Sequence, residues 1–308
     1  MTLQQLQYII SLDNKKHFLN AAEQCGVTQP TLSTMIQKLE DELDVKLFDR
    51  SKQPLVTTEI GREVVAQAKV ILKNTEVLRE VIKNKRECLE GRLNLGIIPT
   101  IAPCLLPKFL IEFRKNYPKI ELKIQEMKTS DIIYNLNQSK LDMGILATPL
   151  ENDDLLEIPI YYENFLAYIS PKEDIYNEEI LSANKMPLDN LWILQEGHCL
   201  RNQVFNFCTD KMDKKPIYEA GSIDTLIKII DRNGGYTVIP ELHLEFLNPE
   251  QLKNVRKIEK PQGVREVSVV ITNDFIRERL LNAVVDTVKS IVPNDMIDER
   301  LKKFAIRL

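Results

Sequence analysis

The chain is short of the residues that staple or anchor a fold from outside its own core. Only 3 histidines and 1 tryptophan occur in 308 residues, and His17, His198 and His243 share no zinc-type spacing with the cysteines, so no metal and no cofactor is expected. The 5 cysteines are odd in number and irregular in spacing, which fits a reducing compartment where any disulfide is transient. No apolar run is long enough to cross a bilayer, and Met1 to Gln5 lack the basic and apolar segments of a signal peptide. The expected location is therefore the cytoplasm, away from membranes. Basic charge is also lacking: the net charge of −4 means that any nucleic-acid contact is local, and it weighs mildly against DNA binding. What is present is ample apolar material, 44% of the chain, enough for two or three domains.

One stretch carries unusual chemistry. Gly197, His198, Cys199, Leu200, Arg201, Gln203, Phe207 and Cys208 place two thiols nine positions apart, the first flanked by cationic donors. Only a thiolate is a strong nucleophile, and Arg201 favours that form, so Cys199 is the candidate attacking sulfur. The apolar run Leu191 to Leu194 reads as a strand, and Gly197 and His198 as the turn that presents Cys199 at a helix start. If 199–208 is helical, its two Cα atoms stand roughly 13 Å apart, against about 4.4–6.8 Å in a disulfide. Closure would require unwinding, which is the behaviour of a switch. The bland alternative is two small buried hydrophobes.

The first forty residues read as helices. Leu3, Leu6, Ile9 and Ile10 form one apolar stripe, followed by a loop at Asp13 to Lys16. Phe18, Ala21, Ala22 and Cys25 form a second stripe ending at Gly26; Thr28 is an N-cap with Pro30 in the first turn, and Leu32, Met35, Ile36 and Leu39 continue a third helix. This is a helix-turn-helix pattern. Its outer face carries Gln29, Thr31, Ser33, Thr34, Gln37 and Lys38, side chains suited to base edges or phosphates in a major groove, and Pro30 in its first turn is counted with them as a DNA-contact candidate. From Thr58 to Glu90 no proline occurs, and Val64, Val65, Ala68, Ile71, Leu72, Val77, Leu78, Val81 and Ile82 make a long stripe that predicts self-association.

Beyond Gly91 strands and helices alternate. Strands are expected at Leu93–Ile97, Ile120–Ile124, Met143–Leu146, Leu166–Ile169, Leu191–Leu194, Tyr236–Ile239 and Val267–Ile271. Helices are expected at Leu105–Asn116, Ser130–Gln138, Asp174–Ser182, Ser222–Ile230 and Phe275–Ile291. The alternation implies an α/β fold with a largely parallel sheet.

Ala21, Ala22, Glu23, Thr28–Ser33, Lys38–Glu40, Leu47–Arg50 and Gly61 match, in order and spacing, the LysR-type transcriptional regulators, and the α/β portion resembles their effector domain. The resemblance covers essentially the whole chain. It implies a winged helix-turn-helix at 1–58, a dimerising linker helix at 59–90 and a two-lobed, periplasmic-binding-protein-like regulatory domain at 91–308. Lobe I would be about 91–163 and 268–308, and lobe II about 164–267. Arg50, with Lys52 after it, would form the wing; Asp44 stands where the family usually has glycine, and Gln53 and Thr34 where many members have arginine. The implied partners are double-stranded promoter DNA, a second copy through the linker helices, further pairing to a homotetramer, and RNA polymerase.

Gly197 to Cys208 narrows the resemblance to the peroxide-sensing members of that family, with Ile98, Pro99, Thr100 and Glu126 with Thr129 as supporting matches. By that resemblance Cys199 is the peroxidatic and Cys208 the resolving cysteine, Thr100, Thr129 and His198 bind hydrogen peroxide, and Arg265 is an electropositive partner. A redox-sensing transcription regulator, rather than an enzyme, is the implied function. The alternatives are a LysR-type regulator of a small organic effector with the cysteine pair incidental, a thiol peroxidase, and a nucleoid protein, the last disfavoured by the acidic charge.

Overall fold

The computed structural model describes every residue except 53, 85–88, 151, 183–185, 187–189, 196–218, 260–262 and 298–308. Two compact units result, Met1–Glu87 with Gln138–Lys140, and Cys88–Asn137 with Leu141–Leu308.

The first unit begins with α1 (Leu3–Lys15), where Thr2 and Gln5 close a capping box. The expected loop at Asp13 is absent because the helix runs on to a left-handed cap at Lys16, φ 51°. Lys16 Nζ and Thr57 Oγ1 both donate to Asp13 Oδ1, at 2.6 and 2.7 Å, which fixes this end of the helix to a distant strand. Next come α2 (Phe18–Gln24), with Gly26 at φ +66° after it, and α3 (Gln29–Leu43), capped by Thr28 Oγ1 at its start and by Asp44 at φ 53° at its end. Aspartate tolerates that left-handed position better than most residues, so the departure from glycine is accommodated.

A two-stranded wing, β1 (Phe48–Asp49) against β2 (Val56–Thr57), leads to α4 (Glu59–Asn84). Gly61 is required at the start of α4, because a Cβ there would stand 2.1 Å from the Leu47 carbonyl oxygen. Leu6, Ile9, Leu12, Ala21, Leu32, Ile36, Leu39, Leu47 and Val65 form the core. Ile71 and Leu78 farther along α4 are exposed, while the side chains of Val77, Val81 and Ile82 lie outside the described set. No helix among the described residues is long and apolar enough to cross a membrane.

The second unit is a mixed sheet with helices on it. Strands β3 (Gly91–Ile97), β4 (Ile120–Glu126) and β5 (Met143–Thr148) are parallel, joined through α5 (Ala102–Asn116) and α6 (Thr129–Asn137). Helix α5 starts earlier than expected because Pro103 lies in its first turn, where its missing N–H has no partner to lose. Then comes β6 (Leu155–Ile169), 15 residues where only Leu166–Ile169 was expected.

The segment 174–182 is not a helix: a 3-10 turn, Asp174–Asn177, yields to β7 (Ile180–Ser182), which finds a partner in β11 (Val255–Glu259). Further elements include β8 (Ile193–Leu194), β9 (Glu219–Ala220), α7 (Ile223–Asn233), β10 (Tyr236–Pro240), β12 (Val264–Thr272) and α8 (Glu278–Ile291). The main order is β4-β3-β5-β12-β6-β11-β7, with β10 also on β6. Because β12 runs antiparallel to both β5 and β6, the sheet is mixed rather than largely parallel.

Two cores share β6. Leu93, Ile97, Phe109, Phe113, Ile145, Val269 and Val284 fill one; Tyr168, Ile193, Leu226, Ile230, Tyr236 and Val238 fill the other. Strand β6 thus passes from one core to the other, between Tyr161 and Phe165.

Candidate functional site

On α3 the periodicity that buries Leu32, Ile36 and Leu39 turns the intervening residues outward. Gln29, Pro30, Thr31, Thr34 and Lys38 are exposed, and Ser33 and Gln37 are half-buried. Thr31 Oγ1 lies 2.8 Å from Thr28 Oγ1, and Gln37 Nε2 donates to Asp41 Oδ1 at 2.6 Å, so two of the polar side chains already have partners. Lys52, on the wing, sits 3.7 Å from Asp49. Arg50 is held differently: its Nη2 donates at 3.0 Å to Oε2 of the buried Glu40, while the guanidinium lies 5.5 Å from the Phe18 ring centroid. Glu40 also receives the Leu47 and Phe48 backbone N–H groups.

In the second unit the structure brings Thr100 and Arg265 together. Thr100 lies between β3 and α5, and Arg265 is the second residue of β12, paired in register with Glu163 of β6. Arg265 Nη1 donates to Thr100 Oγ1 at 3.0 Å and Nη2 to the Thr100 carbonyl at 3.4 Å. Nε donates at 2.8 Å to Glu163 Oε1, which Nη2 also reaches. Arg265 and Glu163 are each 1% exposed. Burial works against the charged guanidinium, but the neighbouring Glu163 more than offsets that and favours the charged form.

With an N–H filling its oxygen, the Thr100 hydroxyl must send its own proton elsewhere. A buried donor aimed by a cation can hold a peroxide or stabilise a departing oxygen. Thr129 is half-buried and opens α6. Cys199, Cys208, His198 and Arg201 lie outside the described residues, as do Cys88 and Gln53.

Three further groups border the pair. The Cys104 thiol on α5 is pushed up to about 12, by burial first and by Glu163 second, with Arg265 opposing. Tyr161, fully buried and with an unpartnered hydroxyl, is raised by burial and then by Glu163. His243 is lowered by burial, against the pull of Asp224, whose Oδ1 is 3.4 Å from its Nε2. Sequence reasoning missed Glu163, and it named Glu40 only as part of the family match, not as the anchor of the wing. For Glu163 the available signal was a lone acid within the buried run Ile160–Ile169; Glu40 heads the acidic run Glu40–Glu42, and nothing local marked it as the buried member.

Residues 3–62 match the model of the bacterial regulatory helix-turn-helix protein, lysR family, and residues 86–292 that of the LysR substrate binding domain. The hydrogen peroxide-inducible genes activator of Haemophilus influenzae is 34% identical over 301 residues, covering 95% of this chain and 99% of its own. The HTH-type transcriptional regulator EstR of Acinetobacter baylyi is 34% identical over 297 residues, covering 94% and 97%. Among solved structures, a full-length OxyR variant from Pseudomonas aeruginosa aligns with a TM-score of 0.75 at 30% identity, covering 94% of this chain and 98% of that one. The acidic net charge is thus no bar to membership of a helix-turn-helix family. With both halves matched and the alignments running nearly end to end, the chain belongs to the LysR family of bacterial helix-turn-helix transcriptional regulators.

Proposed function

We propose that this regulator is switched by hydrogen peroxide through Cys199 and Cys208. The observation that carries the reading is the buried Arg265–Thr100 contact at 3.0 Å, a charge-aimed hydroxyl donor. A relative named as a hydrogen peroxide-inducible genes activator, matched along nearly its whole length, supports it. The Cys199 thiolate attacks one peroxide oxygen, the O–O bond breaks, and hydroxide leaves, taking up a proton to become water. Thr100, Thr129 and His198 hold the peroxide, and Arg265 supplies positive potential. The sulfenic acid then condenses with the Cys208 thiol, releasing a second water and forming the disulfide.

The switch reaches promoter DNA through α4 and the helix-turn-helix. In this reading Gln29, Pro30, Thr31, Ser33, Thr34, Gln37 and Lys38 enter the major groove and Arg50 and Lys52 approach the backbone. The domains are 1–58, 59–90 and 91–308. Copies pair through the linker helices into a dimer and then a tetramer that engages RNA polymerase in the cytoplasm, and oxidation is stoichiometric, not enzymatic turnover.

The test is a peptide-mapped thiol count on reduced protein before and after one equivalent of hydrogen peroxide. The expected result is the loss of two thiols as a Cys199–Cys208 disulfide, abolished by Cys199→Ser. Two free thiols, or oxidation scattered over Cys25, Cys88 and Cys104, would overturn the reading and favour a small organic effector.

A further inference from the structure

The 3-10 turn Glu241–Phe246 follows β10, a strand of the second core, and its side chains divide between the two cores. Leu242 packs on the first core, whereas Leu244, with Leu247 just after the turn, packs on the second. The polar contacts divide the same way. Glu245 Oε2 accepts from Lys108 Nζ on α5 at 2.7 Å, and the buried His243 has its Nε2 3.4 Å from Asp224 Oδ1 on α7. Between these ends the turn is stitched to β6 where that strand passes from core to core. The Leu242 backbone N–H donates to Glu163 Oε2 at 3.3 Å, and Glu241 Oε2 accepts from Asn164 Nδ2 at 2.7 Å.

The passage between the cores is otherwise made of strands, and there the sheet is irregular. The register of β12 on β6 shifts between Val267 and Ser268, so that Ile160 is skipped, and a bulge of this kind lets strands bend. A bent pair of strands can serve as a hinge, because a few residues then absorb the change in backbone angle. A third element seated on both bodies removes that freedom, since closing the hinge would pull it off one side. Lys108 and Glu245 are each about half exposed, so their pairing alone is weak, and Leu242 carries the larger share of the grip on the first core.

We infer that Glu241–Phe246 is a brace that locks the two cores into one mechanical unit, so that a signal taken up in one core moves the other with it instead of closing a hinge between them. Such coupling serves either signal, peroxide or a small organic effector, and does not depend on which of them this regulator reads.

Each core carries its own reporter. Trp192, the single tryptophan of the chain, packs on the second core, and the buried Cys104 lies on α5 against the first. The test is urea unfolding of the reduced full-length protein, followed by Trp192 fluorescence and, in the same samples, by pulse alkylation of Cys104 mapped by peptide. The unsubstituted protein is expected to give one shared midpoint. Leu242→Ala combined with Glu245→Ala frees the turn from the first core and leaves His243, Leu244 and Leu247 in place. Its two midpoints are expected to stand about 0.5 M or more apart. Val284→Ala, a truncation inside the first core on α8, is expected to lower both midpoints together, because a coupled unit shares a loss wherever it falls. Separate midpoints in the unsubstituted protein or in Val284→Ala, or a shared midpoint in the Leu242 and Glu245 variant, would overturn the inference.

Should that variant fail to fold, Glu245→Lys at low ionic strength takes its place, since it sets two like charges against each other. It is expected to separate the midpoints by less, and adding Lys108→Glu is expected to bring them back together. Midpoints that coincide in Glu245→Lys, or that stay apart after the exchange, overturn the brace equally.

Discussion

Oε2 of the buried Glu40 lies 3.0 Å from Nη2 of the exposed Arg50, so a carboxylate from α3 grips the base of the wing. Its other oxygen accepts Leu47 N–H at 2.7 Å and Phe48 N–H at 3.2 Å. Replacing Glu40 by alanine strands both donors. A loss of about 2–4 kcal/mol is expected, read as a lower urea midpoint with unchanged m-value. Glu40→Gln, which keeps an acceptor oxygen, should lose less, and equal losses for the two variants would sink this account.

If α3 and the wing contact DNA as proposed, the same pairing makes Arg50 and Lys38 unequal there. Lys38 is exposed on α3, while Arg50 is partly neutralised by Glu40. Binding to a random-sequence duplex across a salt series should lose about 0.9 from the log–log slope on Lys38→Ala. Arg50→Ala should remove less. Equal slopes for the two variants would mean that Glu40 does not restrain the wing cation.

Asp13 makes the first unit acid-sensitive. Burial works to raise its carboxyl, but hydrogen bonds from Lys16 and Thr57 and the charges of Lys16 and Lys69 prevail and hold it below its ordinary value of 3.8. A group with a lower pKa folded than unfolded stabilises fully above the unfolded value and loses that stabilisation as pH falls through the folded one. Asp13→Asn should therefore lower Tm at pH 7, and the gap from the unsubstituted protein should narrow below about pH 4. A gap that stays constant to pH 2 would rule the ion cluster out as its source.

Cys104 should be chemically silent despite its proximity to the proposed site. A thiol pushed up to about 12 is almost wholly protonated at pH 8, and only the thiolate alkylates. Iodoacetamide should label Cys104 in urea and spare it in the folded protein, while the half-buried Cys25 labels in both. Peroxide oxidation of Cys104 before Cys199 would contradict this.

The helix-turn-helix was the most legible part of the chain because its signals are local. Thr28 caps α3 as its position before Gln29 and Pro30 implies, Gly26 takes the positive φ that a tight turn requires, and Asp44 takes the left-handed cap. In the second unit the strands around Leu93, Ile120, Met143, Tyr236 and Val267 were also readable from their apolar runs. The segment 174–182 was not, because a polar pattern names no partner; β7 exists by pairing with β11, some eighty residues on. Of the site, Thr100 and Arg265 were nameable individually, whereas their contact, across 165 positions, was not.

The sequence by itself determined the family, the turn and N-cap that separate α2 from α3, and the presence of two thiols beside cationic donors, because each follows from residue type within a few positions. Only the tertiary structure decided that β12 runs antiparallel between β5 and β6, that Arg265 therefore meets Glu163, and that Glu40 holds Arg50. Strand register and ion pairing depend on which distant surfaces bury each other, and a buried charge accepts whichever opposite charge the packing brings within reach.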